Sequence, residues 1–171
     1  MKKAFTLIEL LVVIFIVSVL IGLAFPVYSH LAEKGRETNC LSNLRQIGIG
    51  LNLYLGEHNQ TFPKLAAART STTQDVAAID NTLNVYITNP SVFLCPSDFQ
   101  GVGKATGTSY YWNSALNGQD LGSLNFLGIA NPSSIPILGD KDGFHPYLAT
   151  KVNILYGDGH VTKDLTFFTS P

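Results

Sequence analysis

Between Leu10 and Tyr28 the chain runs for nineteen residues without a charge, almost all of them aliphatic or aromatic. At about 1.5 Å of rise per helical residue such a run spans about 30 Å, the hydrocarbon thickness of a bilayer, and it reads as a membrane-spanning helix. Lys2 and Lys3 precede it. Lysines on the short flank predict a cytoplasmic amino terminus and place everything after Tyr28 on the far side of the membrane. Glu9 stands at the start of the run. A carboxylate carried toward the bilayer centre costs about 2.5–3.5 kcal/mol on the mildest insertion scale, so it needs a partner. A secretory signal peptide also joins basic residues to an apolar run, but its small-residue cleavage site follows the run and its apolar region is free of charge. Here the order is reversed: the small residue, Ala4, comes first, and Glu9 lies in the first turns of the helix.

The segment Lys3-Ala4-Phe5-Thr6-Leu7-Ile8-Glu9-Leu10-Leu11-Val12-Val13 resembles the prepilin leader of type IV pilins and type II secretion pseudopilins. The resemblance implies that a membrane-embedded prepilin peptidase cuts after Ala4 and methylates the new amino terminus at Phe5, leaving the apolar helix on the protein. The family usually carries glycine before the cut; Ala4 is the next smallest side chain. Glu9 then lies four residues from the new terminus, on the same helical face. Opposite charges about 4 Å apart attract by about 4 kcal/mol at an effective dielectric near 20. That offsets the burial of Glu9 when a neighbouring subunit supplies the amine, so Glu9 reads as an assembly residue. Pro26 falls near the end of the run, where a ring clash and a missing N–H kink or loosen a helix, and pilin-like proteins often carry a proline there.

Of 171 residues, roughly 110 to 120 remain for a soluble part, enough for one hydrophobic core. The net charge of −1 and 13% charged residues, with no basic cluster interleaved with aromatics after Lys3, argue against a nucleic-acid surface. The expected division is a leader over 1–4, a transmembrane and assembly half-helix over 5–28, an amphipathic half-helix over 29–57 and a globular head over 58–171. Leu41, Leu44, Ile47, Leu51, Tyr54 and Leu55 recur at three- and four-residue spacing, with Glu33, Lys34, Arg36, Glu37 and Arg45 assigned to other faces. Gly35, Gly48, Gly50 and Gly56 each weaken this half-helix by about 1 kcal/mol relative to alanine, so packing against the head must hold it.

Pro63 predicts the end of that helix, and Val76, Ile79, Leu83 and Tyr86 predict a second helix over 75–87. The glycine-dominated stretch 101–107 and the aperiodic stretch 118–134 read as loops. Strands are expected around 109–113, 135–138 and 152–156, the last closing a hairpin through Gly157-Asp158-Gly159 into His160-Val161-Thr162. In that hairpin Val152, Ile154 and Tyr156 are expected to face the long helix, and Gly159 to need a positive φ. Four stretches carry a second resemblance: Cys40 to Gly48, Phe93-Leu94-Cys95-Pro96-Ser97-Asp98, Ser109-Tyr110 ahead of Asn113, and Val152 to Val161. Together they look like the prepilin-like proteins of planctomycete and verrucomicrobial bacteria that end in an Asp-Gly-His-Val hairpin and resemble the major pseudopilin.

Cys40 and Cys95 are the two cysteines; an even count on the exported side suggests a disulfide, and two small buried hydrophobes are the plainer alternative. Asp140 and Asp142, before Gly143, resemble the opening of a calcium loop that Asp158 could join. Major pseudopilins bind calcium in a carboxy-terminal loop, although Asp-x-Asp-Gly is also ordinary turn chemistry. His58, His145 and His160 lack the close spacing of a zinc site. No Gly-x-Ser-x-Gly, His-Glu-x-x-His or phosphate-binding loop occurs, and no enzyme is expected. The reading is an α+β protein, a long amino-terminal helix packed on a small head with a short antiparallel sheet. Its expected function is a structural subunit of an inner-membrane-anchored filament, most like a type II secretion pseudopilin. A type IV pilin is the close alternative, and a membrane-tethered periplasmic binding module or enzyme the distant one. Expected partners are copies of itself and related pilins, the prepilin peptidase, the inner-membrane assembly platform and membrane lipid.

Overall fold

A computed structural model describes residues 6–145 and 152–163, without the side chains of Ala24 and Pro26. One helix, α1 (Leu7–Glu57), accounts for 51 residues and extends for about 75 Å at ordinary helical rise. Its backbone is helical through position 26. The large apolar side chains described between Leu7 and Leu31 are all exposed, and this stretch is long and apolar enough to cross a membrane. Beyond it, one face of the same helix is buried: Cys40, Leu44, Ile47, Leu51 and Leu55 enter the core. α1 ends where expected. Asn59 and Gln60 both adopt left-handed backbone angles and turn the chain back onto the helix.

The head builds a four-stranded antiparallel sheet in the order β1 (Tyr110–Trp112), β2 (Pro136–Asp140), β3 (Ile154–Tyr156), β4 (Val161–Thr162). Tyr110 lies opposite Asp140, Gly139 opposite Ile154 and Leu155 opposite Val161. The expected α+β architecture is therefore present, with the sheet and the loops before it closing over the α1 stripe. The close approach has a visible cause in the helix glycines. A Cβ on Gly50 would sit 2.7 Å from Cγ1 of Ile87, and one on Gly48 would sit 3.1 Å from a methyl of Leu155.

Three local expectations differ. Of the helix expected over 75–87, only α2 (Ile79–Thr82) is α-helical. The Asn81 carboxamide accepts from Ala78 N and donates to the Val76 carbonyl, an alternative to the helical ladder that holds the preceding backbone extended. The stretch read as a glycine loop contains a short helix, α3 (Val102–Thr106), because the Asp98 carboxylate accepts from the free N–H groups of Val102 and Gly103. In β3 the residue that meets α1 is Leu155, against Gly48. Val152 is 36% exposed and Tyr156 stacks on the His160 ring at 4.6 Å, so the facing set is opposite to the alternation expected. Gly159 has the expected positive φ, 88°.

Candidate functional site

At its first turn α1 is closed by Thr6 and Glu9. The Thr6 backbone N–H donates to Glu9 Oε2 at 2.8 Å, the Thr6 hydroxyl donates to the same oxygen at 2.6 Å, and Glu9 N donates to Thr6 Oγ1 at 3.4 Å. This is a capping box, which satisfies two N–H groups that a helix start leaves open. Glu9 thus has a local task besides the assembly role expected of it, and Thr-x-x-Glu is a signal readable in the sequence. Ala4 and Phe5 lie outside the described residues.

The second site lies where α1 enters the head. Glu33 and Glu37, assigned from the sequence to faces other than the apolar stripe, are buried at 0% and 1% exposure. They continue the core stripe backwards from Cys40 at spacings of three and four, and that register was the available signal. Glu33 Oε1 accepts from the Ser97 hydroxyl and from His145 Nδ1 at 2.8 Å, and Oε2 accepts from Arg36 Nη1 at 2.9 Å. A carboxylate only accepts, so Nδ1 carries the proton and Nε2 is free to accept from Asn153 Nδ2 at 2.9 Å. Asn153 also donates its backbone N–H and its amide to Asp140 Oδ2, at 2.8 and 2.9 Å. One buried chain of polar groups therefore links α1, the end of β2 and the start of β3. Glu37 is paired with Lys163, next to β4.

Burial pulls on these groups in different directions. At Glu33 burial raises the carboxyl, but the bonds from Ser97, His145 and Arg36 outweigh it and hold the group below its ordinary value. At Asp140 burial wins over the two Asn153 bonds, helped by the Glu37 charge, and the carboxyl is pushed up to about 7. Asp140 Oδ1 has no hydrogen-bond partner among the described residues, and neither has the buried hydroxyl of Tyr110, its neighbour across the sheet. Burial and the Asp140 charge raise the Tyr110 phenol.

Cys40 and Cys95 form a disulfide with Cα atoms 5.2 Å apart, which ties α1 to the segment after the 3-10 turn Pro90–Phe93. Cys95 Sγ lies 3.8 Å from His145 Nε2. The aspartates expected to share calcium are not brought together. Asp140 is held by Asn153 at one end of β3, while Asp158 lies in the turn past the other end, bonded to His160 N at 3.1 Å and to the His160 ring. Asp142 is exposed and accepts from Gly143 N at 2.7 Å. The three histidines are also apart, His58 stacking on Tyr54 at the end of α1. Among the described residues, the one group of metal-donor atoms that converges is Cys40, Cys95 and His145, and its two sulfurs are bonded to each other.

Residues 1–25 match the family model for the prokaryotic N-terminal methylation motif. The likeness to type IV pilins that this match supports lies in those amino-terminal residues. The motif sits where α1 begins, and the α+β architecture, a long apolar helix leading into a small head with an antiparallel sheet, is consistent with a pilin-like fold. The motif implies processing by a prepilin peptidase and assembly into filaments, and with the apolar helix it is consistent with membrane anchoring. No curated protein and no solved structure matches the chain.

Proposed function

We propose that this pilin-like chain is a structural subunit of an inner-membrane-anchored filament, of the kind used in type II secretion, and that it carries no catalytic role of its own. The observation that carries the reading is the division of α1. Its first half presents exposed apolar side chains from Leu7 to Leu31 and begins in the methylation motif, while its second half is part of the head's core. An apolar surface of that extent requires lipid or other protein around it. Before assembly the bilayer supplies the cover over 5–28, with the amino terminus cytoplasmic and the head, 58–171, periplasmic. After assembly the helices of neighbouring subunits supply it. A surface type IV pilus subunit uses the same device, so the secretion reading rests on the likeness of the head's sequence segments to major pseudopilins.

Mass spectrometry of the mature amino terminus tests the processing step. The expected product begins at Phe5 and is heavier by one methyl group. A chain still beginning at Met1, or one cut after Tyr28 and so deprived of its helix, overturns the proposal.

A further inference from the structure

A groove of about 610 Å³ opens beside α1, lined by Asn39, Asn43 and Gln46 of the helix and by Leu94, Cys95 and Pro96. Of the two bridged sulfurs' residues, Cys95 alone belongs to this lining; it is 4% exposed, and Cys40 is wholly buried. Cys95 is also the one whose Sγ approaches His145 Nε2, at 3.8 Å, while His145 Nδ1 is held by Glu33 at 2.8 Å. A thiol beside an imidazole whose other nitrogen is fixed by a carboxylate is the general arrangement that converts a thiol into a reactive thiolate.

We propose that Cys95 is the sulfur through which the Cys40–Cys95 bridge is made, with His145 accepting its thiol proton and Glu33 positioning His145 to do so. In the reduced chain, His145 Nε2 exchanges the bond it accepts from the Asn153 amide for the Cys95 thiol and takes the thiol proton. The Cys95 thiolate attacks a disulfide-bearing oxidant from the groove, forming a mixed disulfide and releasing one oxidant thiolate, which takes the proton back from His145. The Cys40 thiol then loses its proton through His145 and its sulfur attacks Cys95. The mixed disulfide breaks, the bridge forms, and the second oxidant sulfur leaves and is protonated. Two protein thiols are oxidised and one oxidant disulfide is reduced to a dithiol. The titratable groups facing His145 are Glu33 from α1 and Asp140, whose Oδ2 lies 3.7 Å away at the end of β2. The neutral Asn153 amide contacts Nε2, and Arg36 contacts the far oxygen of Glu33.

The test uses the full chain in detergent micelles with one cysteine at a time, Cys40→Ser or Cys95→Ser, and 5,5′-dithiobis(2-nitrobenzoic acid) as the disulfide probe. Free Cys95 is expected to react at least about tenfold faster at pH 7 than free Cys40. Its rate should titrate with a midpoint below the value of about 8.5 of an ordinary thiol. His145→Ala in the Cys40→Ser background should move that midpoint up toward the ordinary value, and Glu33→Gln, which keeps the shape of the side chain, should move it the same way. Near-UV circular dichroism checks that each variant is folded, and the Glu33→Gln profile decides the matter if His145→Ala is not. Equal rates for the two cysteines, or a midpoint unmoved by the folded variants, overturns the proposal.

Discussion

Asp140 shows how little of a residue's behaviour follows from its type. Its sequence context, two aspartates before a glycine, suggests a solvated cation loop, yet the fold places it at the buried end of β2, where one oxygen takes two bonds from Asn153 and the other takes none. The consequence is a pH dependence whose sign can be worked out. With its carboxyl raised to about 7 in the folded chain and ordinary in the unfolded one, the folded state binds the proton more tightly. Stability from this group is therefore full below about pH 4 and is lost as pH rises through about 7, by a few kcal/mol in order of magnitude. Glu33 acts oppositely: its lowered carboxyl contributes stability above its ordinary range that is lost as pH falls into the acid. Asp140→Asn keeps an acceptor for Asn153 and removes the charge. Urea unfolding at pH 5 and pH 8 is expected to show a decline in the parent chain that the variant lacks; an equal decline in both would place its cause elsewhere.

At the scale of elements, the helix stripe was legible and its full length was not. Leu44, Ile47, Leu51 and Leu55 announce a core face by spacing alone, and all four are buried. Glu33 and Glu37 obey the same spacing, but carboxylates are so seldom buried without partners that their charge outweighed their position; the partners, His145, Ser97 and Lys163, come from segments that no local pattern connects to α1. The four-stranded sheet was legible as three strands and a hairpin turn, while the face of β3 was misread because Ile154, Leu155 and Tyr156 are all buried, leaving no alternation to read. The helix glycines make a test with two signs. Gly35 has open space where a Cβ would go, so Gly35→Ala is expected to stabilise by up to about 1 kcal/mol through helix propensity. Gly50 has Ile87 there at 2.7 Å, so Gly50→Ala is expected to cost about 1–3 kcal/mol through overpacking despite the same propensity gain. Thermal unfolding of the two variants checks it, and a gain at both positions would show that the approach of Ile87 to α1 is not tight.

The whole molecule is one helix with two environments, and Glu9 stands at the end farthest from the head's core. Two explanations for a carboxylate there now compete. In one, Glu9 serves its own chain by closing the capping box with Thr6; in the other, it meets the amino terminus of a neighbouring subunit in the filament. Two substitutions separate them. Thr6→Ala removes the hydroxyl, weakening the start of α1 by about 0.5–2 kcal/mol, and leaves the Glu9 charge in place. Glu9→Gln preserves an acceptor suited to the box and removes the charge that an amine would need. If pairing between subunits is the dominant role, Glu9→Gln is expected to leave membrane insertion intact and to reduce the yield of sheared filaments sharply, while Thr6→Ala assembles nearly as the parent does. Equal losses from the two variants would make helix closure the reason for Glu9, and undiminished yield from Glu9→Gln would reduce the helix to a membrane anchor for the head.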